Sequence, residues 1–159
     1  MKKQYWLLKT EPSTFSIDDL CRAKNQTTSW EGVRNYKARN FLRDGMKVGD
    51  LAFFYHSSCK VPAIVGIVQI TRAGYPDPSA FNPASPYYDP KTSRDHPRWF
   101  MVDVKFKEQL DPPFPLSAIK ELSHLGSLAL IQKGNRLSVI PITSQQWQAI
   151  LSAAKKYSA

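Results

Sequence analysis

An aromatic residue followed closely by cations has the clearest chemical meaning in this sequence. Trp30 lies in a polar turn, and Arg34, Asn35, Lys37 and Arg39 follow it. A nucleobase stacks on an aromatic face, which contributes about 1–3 kcal/mol per base, while Lys and Arg bind the phosphates on either side. The Asn35 amide offers a donor and an acceptor, as reading a base edge requires. The alternative is that Trp30 packs in the core beneath a loop and the cations form a solvated helix face.

Three further segments carry side chains that would complete a pocket for a base. A strand end holds three hydrogen-bonding residues in succession, a proline-rich segment opens with an aromatic and an acid, and a tryptophan follows a second group of cations. Asp77 would accept a hydrogen bond from an exocyclic amine, as carboxylates do from cytosine. Each segment also has an ordinary structural explanation, such as pinning a loop or starting a strand. The residues concerned are Tyr55, His56, Ser57, Tyr75, Asp77 and Trp99.

Patterns associated with catalysis or metal binding do not accompany these residues. The sequence lacks the glycine-rich phosphate loops, the GxSxG elbow and the HExxH helix, and its two cysteines form no CxxC pair. The histidines His56, His96 and His124 are far apart, although His56 and Cys59 are a conceivable nucleophile pair. We therefore expect a binding protein with no catalytic residue, metal or other cofactor. A hydrolase or nuclease that uses His56 and Asp77 is the enzymatic alternative.

Composition limits the class of protein and favours a polyanionic partner. The 159 residues carry a formal net charge of +9, and 42% of them are hydrophobic, which fits one folded domain over residues 1–159. Between residues 22 and 60 there are eight Lys or Arg and only three acids. A basic surface of this kind attracts nucleic acid. With no long apolar run and no signal peptide, we expect no membrane partner and a cytoplasmic location, or a nuclear one in a eukaryotic cell.

The residue pattern predicts a small α+β domain of five or six strands, mostly antiparallel, with helices between them. The expected strands are residues 5–8, 51–55, 63–71, 100–106, 128–131 and 137–140, with a turn at 133–135 between the last two. The expected helices begin at Ser16, which starts a capping box, near residue 36, at residue 115, and at Thr143 or Ser144. Residues 74–97, rich in proline and aromatic residues, are expected to form a long ordered loop.

Several of these segments, taken in order, resemble the EVE domain family. They are Tyr-Trp-Leu-Leu-Lys-Thr-Glu-Pro from Tyr5, Trp-Glu-Gly-Val-Arg-Asn-Tyr-Lys-Ala-Arg-Asn-Phe from Trp30, Phe-Tyr-His-Ser from Phe54, and Tyr-Pro-Asp from Tyr75. The resemblance spans nearly the whole chain. It implies a PUA-like fold, which is a small pseudo-barrel of mostly antiparallel strands with flanking helices. It also implies a non-enzymatic reader of modified bases, cytosine derivatives in DNA especially.

The same resemblance assigns expected roles to individual residues. The modified base would be flipped out of the duplex into the aromatic pocket. Trp30 would form one wall and Asn35 would read the base. Arg34 would contact the rim or a phosphate, or would be a structural residue if it pairs with Glu11 or Asp50. Ser58 departs from the pattern, since an asparagine is common there. The expected pocket residues are Trp30, Val33, Asn35, Tyr55, His56, Ser57, Tyr75, Asp77 and Trp99, and the expected rim or phosphate contacts are Lys9, Arg34, Lys37 and Arg39. An RNA-binding PUA-like module is the second alternative.

Overall fold

The computed structural model describes residues 3–122, 125, 128–132 and 134–157, and these contain one six-stranded sheet. Two residues considered in the sequence lie outside the described residues. They are His124, one of the three histidines, and Lys133, the first residue of the predicted turn. The strand order is β2-β5-β4-β3-β1-β6, and the pairing is antiparallel except between β1 and β3. The strands are β1 (Tyr5–Thr10), β2 (Thr27–Ser29), β3 (Leu51–His56), β4 (Ala63–Pro76), β5 (Phe100–Pro115) and β6 (Val139–Ile142).

Four α-helices flank this sheet, and all four begin within one residue of the predicted positions. The Ser16 hydroxyl accepts from the Asp19 N–H and the Asp19 carboxylate accepts from the Ser16 N–H, which is the predicted capping box. Thr143 and Gln146 form the same reciprocal pair at the last helix. The helices are α1 (Ile17–Arg22), α2 (Tyr36–Asn40), α3 (Leu116–Ile119) and α4 (Ser144–Lys156). None of the helices in the described ranges is long and apolar enough to span a bilayer.

The sheet separates two hydrophobic clusters because successive side chains of a strand point to opposite faces. In β3, Phe53 and Phe54 are both fully buried, but they belong to different clusters. The cluster that contains Phe54 and Trp30 lies on what we term the cleft face, together with α1 and α2. The cluster that contains Phe53 and Trp147 lies on what we term the closed face, which α3 and α4 cover.

The long central strands extend further than the sequence pattern predicts. β4 continues to Pro76 and β5 to Pro115, and their mutual register shifts at four places. Such irregularities let a strand bend without losing its pairing, so two long strands can curl around a small core. β4 therefore includes the beginning of the segment predicted as a loop from residue 74. β2 was not predicted, because three polar residues carry no recognisable strand pattern.

Residues 128–131 were predicted as a strand, and this prediction is wrong. Ala129–Ile131 is a 3₁₀ turn, flanked by bonds from the Leu128 N–H to the Leu125 carbonyl and from the Ile131 N–H to the Leu128 carbonyl. Leu125 and Leu128 are both buried on the closed face, three residues apart. Leu128 and Leu130 are buried at the alternate spacing of a strand, but the hydrogen bonds close 3₁₀ turns, so the alternation alone is misleading here.

Candidate nucleic-acid interface

A cleft of about 380 Å³ opens on the cleft face beside the ends of β1 and β2. Its volume falls within the range of about 300–1,000 Å³ that is usual for small-molecule sites. Apolar side chains, hydroxyls and two cations border it, with the carboxylates of Glu11 and Glu31 also present. The apolar and cationic lining residues are Phe15, Trp30, Val33, Tyr87, Lys9 and Arg34, and the hydroxyls belong to Thr10, Thr14, Thr28, Ser29 and Ser138.

The sequence left two roles open for Trp30, a wall of a base pocket and a core aromatic, and the structure gives it features of both. Its side chain is only 8% exposed, and the edge of its ring system meets Phe54 at a centroid distance of 5.5 Å and an angle of 84°. The Trp30 N–H donates to the carbonyl of Val102 at 2.7 Å, which fixes the backbone beside β5. Trp30 is thus a core aromatic that also borders the cleft, so it offers a ligand a partly covered surface rather than an open ring face.

A buried carboxylate holds the wall of the cleft through several hydrogen bonds. Asp77 is 0% exposed, and one of its oxygens accepts from the Gly32 N–H at 2.9 Å and from Arg34 Nη1 at 3.2 Å. The other oxygen accepts from the backbone N–H and the hydroxyl of Ser79. With both oxygens occupied in this way, the predicted role of Asp77 as acceptor for a base amine is wrong. Asp77 instead positions the residues that line the cleft.

The guanidinium of Arg34 links this carboxylate to the proline-rich segment. Arg34 Nη2 and Nε donate to the backbone carbonyl of Tyr87 at 2.7 Å and 3.1 Å. The alternative partners considered from the sequence, Glu11 and Asp50, do not pair with it. Asp50 accepts instead from the Trp6 indole at 3.0 Å and from nearby backbone N–H groups. Arg34 is therefore a structural residue of the cleft wall, and Asp77 neutralises its charge.

Tyr87 is a lining residue that the sequence reasoning did not assign to the pocket. Its ring lies directly against Gly32, where an added Cβ would approach the Tyr87 Cζ to 2.6 Å. Gly32 has a φ of +83°, a conformation that side chains rarely adopt, so glycine serves both the turn and the close approach. The composition of residues 74–97 pointed to an ordered aromatic segment, but no local pattern indicated which of its aromatics faces the cleft.

The predicted reader Asn35 has a local structural role in this fold. Its side-chain oxygen accepts from the Ala38 N–H at 3.0 Å, so Asn35 is the N-cap of α2 and does not line the cleft. Trp99 is also outside the lining. Its indole donates to Asp89 at 2.7 Å and its ring stacks on Tyr36 at 4.8 Å. Trp99 supports the wall from behind, since the Arg34 guanidinium lies 5.2 Å from its ring centroid.

Tyr55, His56 and Ser57 were predicted to line the pocket together, and the structure separates them. Tyr55 packs on the closed face, where burial raises the pKa of its hydroxyl to about 12, so the prediction for Tyr55 is wrong. His56 accepts from the Ile17 N–H at 3.1 Å through Nε2, beneath the start of α1, and burial lowers its pKa. Ser57 borders a second cavity of about 360 Å³ that adjoins the cleft.

Tyr75 reaches the cleft through a neighbour. Its hydroxyl bonds to the carboxylate of Asp103 and lies 3.1 Å from the hydroxyl of Ser29, which also donates to Asp103. Ser29 lines the cleft, whereas Tyr75 does not. Burial and the carboxylate of Asp103 raise the pKa of the Tyr75 hydroxyl. Tyr75 thus orients the Ser29 hydroxyl, which lines the cleft, and does not line the cleft with its own ring.

The predicted cationic contacts fall into two groups. Lys9 lines the cleft, and partial burial lowers the pKa of its ammonium. Lys37 is exposed on α2, and Arg39 donates to the Arg98 carbonyl at 2.6 Å while its guanidinium lies 4.9 Å from the ring centroid of Tyr36. These two belong to the outer surface of α2 rather than to the lining. Within the described residues, no cluster of three His, Cys, Asp or Glu is arranged to hold a metal ion.

Comparison with known proteins places this chain in a known family. A family model described as the EVE domain matches residues 4–153. Thymocyte nuclear protein 1 of Gallus gallus is 46% identical over 165 residues, which cover 93% of this chain and 67% of the relative. Similarity therefore extends over nearly the full length of the sequence, including the segments quoted above from Tyr5 to Tyr75.

Solved structures confirm the predicted fold class. The structure of human THYN1 protein in complex with 5-methylcytosine containing DNA matches with a TM-score of 0.92 and 40% identity, covering 98% of this chain and 100% of that one. A crystal structure of a protein from Pseudomonas putida matches with a TM-score of 0.90 and 49% identity, covering 94% and 99% of the two chains. The mixed six-stranded sheet with flanking helices is the fold they share with this chain.

Proposed function

This chain belongs to the EVE domain family, and from that premise we propose that it binds DNA carrying a modified cytosine without catalysing a reaction. One observation carries the proposal. The fold superposes with a TM-score of 0.92 on human THYN1 protein, which was solved in complex with 5-methylcytosine containing DNA. At 40% identity over 98% of this chain, the similarity covers almost the whole sequence and is not limited to the fold.

A base inside a duplex can enter the cleft only if it leaves the stack. Flipping costs a few kcal/mol of unstacking and unpairing, which contacts inside the pocket must offset. The cleft offers the Tyr87 ring, the covered surface of Trp30 and the apolar side chain of Val33. A 5-methyl group against such a surface adds about 1–3 kcal/mol, so the preference over plain cytosine would be moderate.

Polar groups around the cleft would orient the flipped base. The hydroxyls of Thr10, Thr28 and Ser29 border it, and each can donate or accept. The Ser29 hydroxyl is already fixed by Asp103 and Tyr75, so it is oriented before a ligand arrives. Fixed polar groups lose little conformational freedom on binding, which favours affinity for a base that matches them.

The basic surface beside the cleft would bind the DNA backbone. α2 and the turn after it carry exposed Lys37 and Arg43 and the partly exposed Arg39. Each phosphate neutralised by a cation releases counterions, so this part of the affinity falls as salt rises and does not depend on the base. The charge would therefore supply affinity for any DNA, and the cleft would supply the preference for a modified one.

The test compares three duplexes that differ only at one base, which is cytosine, 5-methylcytosine or 5-hydroxymethylcytosine. We expect the wild type to prefer a modified duplex, and Tyr87→Ala to weaken that complex about tenfold by removing an aromatic contact. Tyr88→Ala is the matched control, because this neighbouring tyrosine is 42% exposed and does not line the cleft. Fluorescence of a 2-aminopurine placed beside the modified base reports flipping, since unstacking increases its emission.

Three results would contradict the proposal. Equal binding of the three duplexes, with no difference between Tyr87→Ala and Tyr88→Ala, would show that the cleft does not read the base. A preference for RNA of the same sequence that persists at high salt would identify an RNA-binding module. Turnover of DNA that is lost in His56→Ala while binding is retained would identify an enzyme.

A further inference from the structure

A second cavity, of about 360 Å³, adjoins the cleft and is not part of the base pocket described above. The end of β1 and the residue before β6 form a wall between the two spaces. Lys9 and Ser138 belong to this wall and line both the cleft and the second cavity. Beyond this wall the second cavity is bordered by Ser57, Ser58 and Arg136. It contains no aromatic lining residue, so its chemistry differs from that of the cleft.

The cations of the second cavity have no carboxylate partner among the described residues. No acid lies within salt-bridge distance of Lys9 or Arg136 in that part of the chain, although Glu11 also borders the cavity and is exposed. Partial desolvation lowers the pKa of Lys9. A bound anion would restore the favourable interaction that burial removes from such an ammonium.

Hydroxyl donors complete the lining. Ser57 is held at the end of β3, where its N–H donates to the Thr10 carbonyl at 2.9 Å. The side chains of Ser58 and Ser138 form no hydrogen bond with another described residue, so both are available to a ligand. Cations combined with hydroxyl donors are the groups that contact phosphate oxygens in protein–DNA complexes.

We propose that this second cavity is a phosphate subsite, which binds a phosphodiester of the same strand whose modified base occupies the cleft. The inference rests on the proposed function, because a nucleotide joins its base to its own phosphates through one sugar. A base in the cleft therefore brings a phosphate to the shared wall at Lys9 and Ser138. Arg136 and the serine hydroxyls bind that phosphate from the far side.

The first experiment measures how affinity for duplex DNA depends on salt. Arg136→Gln removes one phosphate contact, so the slope of log K against log salt concentration should fall in magnitude by about 0.9. The loss should be at least as large for the modified duplex as for the unmodified one, because the subsite receives its phosphate from a nucleotide whose base is in the cleft. Lys120→Gln is the control, since it removes the same charge from an exposed residue that directly follows α3 on the closed face. Both substituted residues are exposed, so both variants should fold.

The second experiment identifies the phosphate. Duplexes with a neutral methylphosphonate immediately 5′ or 3′ of the modified nucleotide are bound to wild type and Arg136→Gln. We expect one of the two positions to weaken wild-type binding several-fold and to weaken Arg136→Gln binding less, because Lys9 is the cation that remains beside the phosphate in this variant. The inference is overturned if Arg136→Gln and Lys120→Gln give the same slope, if neither methylphosphonate shows this coupling, or if Arg136→Gln loses more affinity for unmodified than for modified DNA. Failure of the base-reading proposal is seen separately, as equal binding of the modified and unmodified duplexes by the wild type.

Discussion

Both faces of the sheet bury tryptophan, and the surroundings of Trp147 on the closed face differ from those of Trp30 on the cleft face. On the closed face Trp147 stacks between Phe53 at 3.9 Å and Tyr5 at 4.7 Å. On the cleft face Trp30 meets Phe54 edge-on and borders open volume on another side. Phe53 and Phe54 are neighbours on β3, so one strand supplies an aromatic to both environments.

The difference shows how a small domain combines a stable core with a binding site. The closed face is filled by stacked and aliphatic side chains, which contribute through burial of apolar area. On the cleft face less apolar area is buried, because part of the space is open, and polar contacts hold the walls of the cleft in place. Asp77, Arg34 and Gly32 are the centre of these contacts. Removing a polar group that holds the cleft wall should therefore lower the free energy of unfolding more than removing one at the surface.

The largest effect is expected for Asp77→Ala. This variant leaves the partly buried Arg34 guanidinium and the Gly32 N–H without their acceptor, and breaking a buried pair in this way costs about 3–5 kcal/mol. The free energy of unfolding, measured by urea denaturation, should fall by that amount. Asp44→Ala is the control, because Asp44 pairs with Arg43 at the exposed surface and its removal should leave the free energy of unfolding nearly unchanged. Similar losses in the two variants would show that the cleft wall does not depend on this carboxylate.

A smaller and more selective effect is expected for Gly32→Ala. Gly32 and Gly49 have φ values of +83° and +97°, so alanine at either position should cost about 1–2 kcal/mol of stability. Only at Gly32 would the added Cβ meet the Tyr87 ring, whereas nothing lies within 4 Å at Gly49. Gly32→Ala should therefore displace Tyr87 and weaken binding of methylated DNA about tenfold, while Gly49→Ala should bind like the wild type. Equal binding by the two variants would separate Tyr87 from the site.

The smallest effect is a pH dependence that originates at His56. Burial lowers the pKa of His56, whose Nε2 accepts from the Ile17 N–H and cannot do so when protonated. The unfolded chain binds a proton at the ordinary pKa of about 6.5, so the free energy of unfolding should fall as the pH drops below that value, and it should be retained above it. We expect a loss of up to about 1 kcal/mol between pH 7 and pH 5.5.

The control for this prediction uses a second histidine. His56→Gln should remove most of the pH dependence in this range, whereas His96→Gln should keep it, because His96 is exposed and its ring forms no hydrogen bond or ion pair with a described residue. Urea denaturation at the two pH values measures both. Carboxylates with lowered pKa values, such as Asp19 and Asp89, lose their contribution only at lower pH. A pH dependence unchanged in His56→Gln would assign it to another group.

The sequence predicted best the features that are determined over a few residues. The capping box at Ser16 and the alternation from Phe100 to Phe106 are local patterns, and both elements formed where expected. The site is held by contacts across the chain, such as those of Arg34 with Asp77 and with Tyr87, residues that lie 43 and 53 positions away. No local pattern determines which carboxylate an arginine meets, so those partners and the role of Tyr87 had to come from the structure.

Strand periodicity explains why Tyr55 does not line the pocket as predicted. Tyr55 comes directly after Phe54, and Phe54 contacts Trp30 on the cleft face. Side chains alternate along a strand, so Tyr55 must point to the closed face. Asn35 illustrates a different problem, because an asparagine before a helix can cap that helix or bind a ligand, and its residue type alone does not decide between them.

The edges of the sheet bear on how the protein behaves at high concentration. β2, at one edge, has only three residues, and β6, at the other, has four and includes the exposed Pro141, which has no N–H to donate. Short edge strands and edge prolines prevent a strand of another molecule from pairing along the sheet. At these two edges the fold thus disfavours self-association through backbone pairing.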